Sequence, residues 1–300
     1  MIEGVSEKKG YKERKDEIRD ELVTMALTRI GLSGCGWLFP YHIGVLSYLK
    51  TTNLITKSTI LSGLSGGSLV AVGEASGLSE NEMMEVATNI VQRWSLNGTK
   101  SITIFDVWGT MNTVVAEAMD EALPHDAHLR CNDTIRIAVT PVDKDRSGFI
   151  PLLSILPISP IWNRPIEFGG RDNPFQSKQD LLACCLCSSH IPYYMDGNFS
   201  RKWRGSNWVD GGLLDILPPT PKEDVNSCIQ SLPYNIMSIT RKDKETLITP
   251  TRQEISLFRE LLPWTFAPSG NKDNLYRLRD LGYVNAERFV ELKRSQGIFN

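Results

Sequence analysis

One pentapeptide places a serine among glycines in a way that suits nucleophilic chemistry. The segment Gly63-Leu64-Ser65-Gly66-Gly67 has the pattern G-x-S-x-G. It lies between the β-branched run Thr59-Ile60-Leu61 and an apolar run at 68–72, which predicts a strand, a tight turn and a helix. In such a turn the serine hydroxyl projects from the sheet, and the helix N-terminus favours a developing anion. The pattern predicts Ser65 as the nucleophile of an acyl transfer, although a glycine-rich turn can also be a simple connection.

The base that would activate Ser65 is not a late histidine. Triad hydrolases of the α/β type carry their histidine after the acid, towards the end of the chain. The four histidines here are His42, His125, His128 and His190. A triad built on His190 would pair it with an upstream aspartate and leave the strands beyond it unexplained. A carboxylate base is therefore favoured, and the triad stays open as the alternative.

Two Asp-Gly pairs could supply that carboxylate. Asp196-Gly197 is followed by Asn198 and by polar residues at 200–202, a composition typical of a surface turn. Asp210-Gly211-Gly212 instead follows a short strand predicted at Trp208-Val209. The position after a strand favours Asp210.

The remaining pattern alternates strands with helices. A strand that starts at Thr28 is predicted to end at Gly34-Cys35-Gly36, and Pro40 suits the first turn of the helix that follows. Alternation of this kind predicts an α/β fold with a mostly parallel sheet covered on both faces. The further predicted elements are a helix after the capping box of Ser79 and Glu82, helices over Met111 to Ala122 and Asp180 to Cys187, strands over Ile135 to Val142 and Ile236 to Ile239, and two closing helices.

Composition and charge narrow the classes of function. The 300 residues carry a net charge of -2 without a long basic stretch, so nucleic-acid binding is not expected. Residues 1–26 are rich in charge and are predicted as a helical N-terminal extension, with residues 27–300 forming one domain. The start of the chain does not resemble a signal peptide, and the longest apolar stretches are too short to span a bilayer. We therefore expect an intracellular, cytoplasmic protein whose membrane contact is peripheral.

The six cysteines favour reduced thiols over a disulfide framework. Cys184-Cys185-Leu186-Cys187 contains a C-x-x-C near His190, which could suit zinc. A second cysteine pair at a usable spacing is missing from the sequence, so a buried helix is the favoured interpretation. Neither a metal nor a cofactor is expected.

Four segments stand out together and in this order: Ser33-Gly34-Cys35-Gly36-Trp37-Leu38-Phe39-Pro40-Tyr41-His42-Ile43-Gly44-Val45, Gly63 to Gly67, His190-Ile191-Pro192, and Trp208-Val209-Asp210-Gly211-Gly212-Leu213-Leu214-Asp215-Ile216-Leu217-Pro218. Their combination resembles the patatin-like phospholipase family, especially the branch containing adipose triglyceride lipase and adiponutrin. The resemblance implies a three-layer αβα sandwich, a lipid ester substrate, and a Ser-Asp dyad in which Asp210 is the base. It also implies an oxyanion hole built from the backbone N–H groups of Gly34, Cys35 and Gly36, joined by that of Gly66.

One position departs from the family pattern. Phe39 stands where the third glycine of a G-x-G-x-x-G loop is usual, and a phenylalanine would be strained there if positive φ were required. Trp37 to Pro40, together with 151–162, could form an apolar rim at a membrane or lipid-droplet surface, or could pack ordinarily.

The expected function is that of a serine carboxylic-ester hydrolase of the triacylglycerol lipase or phospholipase type. It would work through an acyl-enzyme whose acyl group passes to water or, as a transacylase, to another lipid alcohol. A catalytically weak lipid-binding or regulatory protein is the alternative.

Overall fold

A computed structural model describes residues 26–94, 102–142, 165–212, 217–218, 225–229 and 246–299. Eight strands within these ranges form one sheet. They are β1 Arg29–Leu32, β2 Ile60–Gly63, β3 Ile135–Val142, β4 Ile166–Phe168, β5 Arg201–Trp203, β6 Ser206–Asp210, β7 Val225–Ser227 and β8 Leu247–Ile248.

The order across the sheet is β5-β6-β3-β2-β1-β7-β8, with β4 paired to β3. Strands β3, β2, β1, β7 and β8 run parallel to one another. Strands β4 and β6 both run antiparallel to β3, and β5 is antiparallel to β6. The sheet is therefore parallel through its centre and antiparallel at one side, which confirms the predicted α/β class with a mostly parallel sheet.

Helices flank this sheet. Their ranges are α1 Pro40–Thr51, α2 Gly66–Ala75, α3 Glu80–Trp94, α4 Ile104–Val107, α5 Met111–Ala122, α6 Ala127–Asn132, α7 Lys178–Ser188, α8 Leu262–Phe266 and α9 Lys272–Ser295, with a 3₁₀ turn at Gly36–Leu38 and a π-helical turn at Leu257–Leu261. Helix α9 packs along α1, where the Tyr41 hydroxyl donates to Asn285 Oδ1 over 3.0 Å.

Local sequence signals located many of these elements well. The capping box before α3 forms as expected, with Ser79 N donating to Glu82 Oε2 over 2.7 Å and Glu82 N donating to Ser79 Oγ over 3.3 Å. Helix α5 has the predicted bounds. The N-terminal extension, apart from residue 26, and the strand over Ile236 to Ile239 lie outside the described residues.

The polar stretch at 200–202 is not simply a surface turn, because Arg201 begins strand β5. The strand forms because Trp203 is buried between Phe168 and Trp208, with ring centroids 4.7 and 6.0 Å away. Burial of one large aromatic ring outweighs the weak local preference of two polar neighbours for a turn. The same pairing extends β6, the strand that ends at Asp210.

A buried histidine connects the start of α1 to the sheet. His42 is fully buried, with Nδ1 2.7 Å from Ser227 Oγ and Nε2 3.1 Å from the carbonyl oxygen of Ser33. Burial lowers the pKa of His42 to about 4, although the hydrogen bond to Ser33 acts to raise it. The neutral ring thus holds the loop after β1 against the end of β7.

We predict that this contact weakens as the pH falls. A histidine whose folded pKa lies below its unfolded value stabilises the fold above the unfolded pKa and loses that contribution as the pH drops towards the folded pKa. The difference in unfolding free energy between wild type and His42→Asn should therefore shrink by about 1.4 kcal/mol per pH unit between roughly pH 6.5 and 4. Urea unfolding at pH 7.5, 6 and 5 measures it, with the exposed His125→Asn as control. A difference that stays constant over this range would contradict the prediction.

Candidate active site

The turn that carries Ser65 is tight and conformationally strained. Strand β2 ends at Gly63 and helix α2 begins at Gly66, so Ser65 caps the helix N-terminus as the pattern predicted. Its backbone has φ 51° and ψ −132°, a conformation that a non-glycine residue adopts only when its surroundings enforce it. At Gly67 a Cβ atom would lie 2.5 Å from the carbonyl oxygen of Leu32. The turn therefore packs directly against the end of β1.

Asp210 reaches this turn through the register of an antiparallel strand. Strand β6 pairs Asp210 with Val139 on β3, and the parallel pairing on the other side of β3 places Ile137 opposite Gly63. Val139 lies two residues beyond Ile137, as Ser65 lies two residues beyond Gly63. The end of β6 is thus brought to the level of the turn after β2.

The carboxyl of Asp210 is almost completely buried. Its Oδ1 accepts a hydrogen bond from the Gly212 backbone N–H over 2.6 Å, whereas Oδ2 has no hydrogen-bond partner among the residues that the structure describes. Burial raises the pKa of Asp210 to about 6, against the lowering effects of the Gly212 N–H and the Ser65 hydroxyl. A carboxyl with a raised pKa is a better proton acceptor near neutral pH than an exposed one.

The Ser65 hydroxyl lies near enough to influence this pKa, but its contact with Asp210 falls short of full hydrogen-bond geometry. Hydrogen bonds between a nucleophile and its base are often long in the absence of substrate. The arrangement leaves Oδ2 free to receive a proton.

The glycine-rich loop after β1 packs against the start of α2. Gly36 has φ +56°, and a Cβ there would overlap the carbonyl of Thr265 on α8. Gly66 touches the same loop, since a Cβ there would lie 2.5 Å from the carbonyl oxygen of Gly36. Gly66 also begins α2, so its N–H has no partner within the helix. Cys35 and Gly36 therefore lie against Gly66, the residue after Ser65, whereas a role for Gly34 stays a prediction.

Phe39 is not strained, contrary to the concern raised by the family pattern. Its φ of −58° and ψ of −23° are ordinary right-handed helical values, and it caps the N-terminus of α1 before Pro40. The positive φ in this loop falls at Gly36 instead. A side chain at position 39 is compatible with the backbone.

A narrow apolar cavity of about 40 Å³ adjoins Ser65. A cleft of about 1030 Å³ lies farther along α8 and includes neither Ser65 nor Asp210, so we assign the site to the smaller cavity. The residues that line the smaller cavity are Gly36, Trp37, Phe39, Ser65, Gly66, Leu69, Met111, Val115, Ser189, Ile191, Tyr194, Met195 and Thr265.

The alternative base candidates are engaged elsewhere. His190 Nε2 lies 3.1 Å from the carbonyl oxygen of Asn198, and Nδ1 faces Asp196 at 3.9 Å. Asp196 accepts hydrogen bonds from the side chain of Asn112 and the backbone N–H of Asn198. Burial acts to raise the pKa of Asp196, but these hydrogen bonds and His190 lower it overall. Neither side chain is hydrogen-bonded to Ser65.

Cys184, Cys185 and Cys187 are buried in α7, as the helical interpretation predicted. Burial raises the pKa of all three thiols. Among the described residues, no group of three histidine, cysteine or acidic side chains is arranged to hold a metal ion. Helix α7 instead contributes to the site through its C-terminal end.

That end supplies Ser188, a residue that sequence reasoning missed. Its hydroxyl accepts the Ser65 backbone N–H over 3.0 Å and donates to the Ala138 carbonyl over 2.7 Å. Its own carbonyl accepts the Gly211 N–H, and the His190 carbonyl accepts the Asp210 N–H over 2.9 Å. The available signal was the serine pair after an apolar helix, immediately before His190.

The model of the family described as patatin-like phospholipase matches residues 31–221, more than half of the chain. Every segment of the site described above except Thr265 falls within that range. This chain belongs to the patatin-like phospholipase family. The membership agrees with the resemblance that the four sequence segments carried, and the fold is the patatin fold.

Several curated members of this family are similar to the chain. Human 1-acylglycerol-3-phosphate O-acyltransferase PNPLA3 is 26% identical over 273 residues, which cover 88% of this chain and 50% of that protein. Mouse patatin-like phospholipase domain-containing protein 2 is 27% identical over 191 residues, covering 63% of this chain and 34% of that protein. Human patatin-like phospholipase domain-containing protein 4 is 23% identical and is covered to 95%. The chain thus spans half or less of the first two relatives.

A solved structure, that of VipD from Legionella pneumophila, is also similar, with a TM-score of 0.45 and 11% identity over 88% of this chain and 67% of that one.

We predict that the Ser188 hydroxyl contributes strongly to stability, whereas the hydroxyl of its neighbour Ser189 does not. Ser188→Ala leaves two buried backbone groups without partners, at about 1–3 kcal/mol each. Ser189 Oγ is buried and has no hydrogen-bond partner in the described part of the chain, so Ser189→Ala removes no bond seen there. Urea unfolding should give a loss of at least about 2 kcal/mol for Ser188→Ala and about 0.5 kcal/mol or less for Ser189→Ala. Equal losses would show that the Ser188 bonds are not important.

Proposed function

We propose that the chain is a lipid acyl hydrolase of the triacylglycerol lipase or phospholipase type, which uses Ser65 and Asp210 as a catalytic dyad. The observation that carries the proposal is the buried carboxyl of Asp210, which is close enough to the Ser65 hydroxyl for that group to lower its pKa and whose Oδ2 has no hydrogen-bond partner among the described residues. The apolar walls of the adjoining cavity suit an acyl chain. Family membership supports lipid acyl chemistry in general.

The reaction proceeds in two halves. Ser65 Oγ attacks the ester carbonyl carbon while its proton passes to Asp210 Oδ2, and the carbonyl oxygen becomes an oxyanion. The backbone N–H groups of Gly34, Cys35, Gly36 and Gly66 stabilise that charge, aided by the N-terminus of α2. Collapse of the intermediate breaks the ester bond, and Asp210 returns the proton to the departing alcohol. Water then attacks the acyl-enzyme in the same way and releases the fatty acid.

Burial makes Asp210 an adequate base without a histidine. An ordinary aspartate, with a pKa near 3.9, is a poor acceptor for a serine proton. The raised pKa of about 6 reduces this mismatch, and the oxyanion donors offset the remainder.

We further propose that the protein meets its lipid substrate at a membrane or lipid-droplet surface. Three aromatic side chains, Phe105, Trp108 and Phe258, are at least half exposed. Trp108 contacts Tyr194 of the cavity wall, with ring centroids 5.5 Å apart. Exposed aromatic groups near an acyl site suit peripheral contact with lipid. No described helix is long and apolar enough to cross a membrane.

An acyl acceptor other than water is the second candidate. The human relative that aligns with 88% of this chain is named 1-acylglycerol-3-phosphate O-acyltransferase, an activity that transfers an acyl group to a lipid alcohol. The same acyl-enzyme serves both outcomes. Product analysis with and without 1-acylglycerol-3-phosphate distinguishes them, because transfer yields diacylated product in place of free fatty acid.

We predict that loss of either dyad member abolishes ester hydrolysis. Ser65→Ala should also eliminate labelling by a fluorophosphonate probe, and Asp210→Asn, which preserves shape, should reduce kcat by about 100- to 10,000-fold. His190→Gln should retain most activity. If instead the histidine variant is inactive and Asp210→Asn is active, the protein is a triad enzyme. If wild type neither labels at Ser65 nor hydrolyses esters, it is a lipid-binding or regulatory protein.

The pH profile should report the ionisation of Asp210. Because the base must be charged, kcat/KM should fall about tenfold per pH unit below roughly pH 6 and be flat above it. The rate of fluorophosphonate labelling should follow the same curve. Circular dichroism at pH 5 checks that the protein remains folded. An acid limb centred near pH 4 would contradict the raised pKa.

A further inference from the structure

A second apolar cavity lies directly behind the one that adjoins Ser65. The first has a volume of about 40 Å³ and the second about 20 Å³. Phe39 and Leu69 line both of them, and so form the wall between the two. The remaining lining of the second cavity is apolar, consisting of Ile43, Val70, Gly73, Leu78, Met83, Val86, Ile90 and Met119.

The two wall residues come from the two helices that begin at the site. Phe39 caps α1 and is 7% exposed, with its ring centroid 6.2 Å from that of Trp37. Leu69 lies in the first turn of α2, four residues after Ser65. Phe39 has an unstrained helical backbone where α1 begins, and its side chain is buried beside Trp37.

We propose that Phe39 ends the acyl-binding site and thereby selects shorter acyl chains, and that the second cavity is a latent extension of it. This inference rests on the proposed function. An acyl chain bound at Ser65 enters the first cavity. Because the volume of this cavity is only about 40 Å³, the end of the chain lies against the Phe39 ring. Removal of the ring joins the two cavities and gives a longer chain apolar surface to contact. Each methylene buried there favours binding by about fourfold.

The experiment compares p-nitrophenyl butyrate, octanoate and palmitate with wild type and Phe39→Ala. The expected result is at least about a tenfold rise in the ratio of kcat/KM for palmitate to that for butyrate, since two or more methylenes gain contacts. Phe39→Leu should shift the ratio in the same direction but less, and it serves if the alanine variant folds poorly. Phe175→Ala removes a buried phenylalanine that lines neither cavity and should leave the ratio unchanged.

A double variant separates a joined cavity from a merely loosened site. A Cβ at Gly73 would point towards the Met83 Sδ atom at 3.2 Å and the Leu78 side chain at 3.6 Å, which puts it inside the second cavity. Gly73→Ala should therefore reverse most of the palmitate gain of Phe39→Ala. The inference is wrong if the chain-length ratio does not change in Phe39→Ala and Phe39→Leu while wild type hydrolyses these esters, or if the gain survives Gly73→Ala. Absence of hydrolysis by wild type on every ester would overturn the proposed function instead.

Discussion

The turn that carries Ser65 and the strand end that carries Asp210 are held together by the C-terminal end of helix α7 and the residues directly after it. Ser65 comes from the end of β2 and Asp210 from the end of β6, and these strands do not pair because β3 lies between them. Ser188 and His190 bridge this gap with hydrogen bonds to the backbone of both segments. A residue in a conformation such as that of Ser65 costs about 1–3 kcal/mol and persists only when its surroundings enforce it. The hydrogen bonds of Ser188 and His190 hold the Ser65 turn in this conformation and fix the end of β6, with Asp210, next to it.

The sequence predicted those parts of the site that depend on local chemistry. The turn from Gly63 to Gly67, with strand β2 before it and helix α2 after it, follows from glycine content and apolar spacing within a few residues. The approach of Asp210 depends instead on the antiparallel direction of β6 and on its register with β3, and no local pattern encodes either. Only the resemblance to the family implied in advance that Asp210 acts together with Ser65 as a dyad. The role of Ser188 was missed for the same reason, since its partners are 50 and 123 residues away in the chain.

The family pattern suggested backbone strain at Phe39, which the structure does not have. The same position nevertheless lines the cavity next to Ser65. The expectation that a glycine belongs there assumed a positive φ, which the structure places at Gly36. A glycine at position 39 would leave empty space between the two cavities, and in this chain the Phe39 ring fills that space. The departure from the family motif at Phe39 therefore changes the shape of the cavity next to Ser65 and leaves the backbone of the glycine-rich loop unstrained at this position.

The ionised form of Asp210, which the proposed reaction needs, lowers the stability of the folded protein. Because the folded pKa of Asp210, about 6, exceeds its ordinary value of 3.8, ionisation of this carboxyl destabilises the native state as the pH rises through 6, by on the order of 3 kcal/mol. His42 has the opposite linkage, since its folded pKa of about 4 makes the native state gain stability as the pH rises towards 6.5. Between about pH 4 and 6, the ionisation of Asp210 lowers the unfolding free energy as the pH rises, whereas His42, which releases a proton on folding, raises it. The slope of unfolding free energy against pH that one buried group contributes therefore largely cancels the slope contributed by the other in this range.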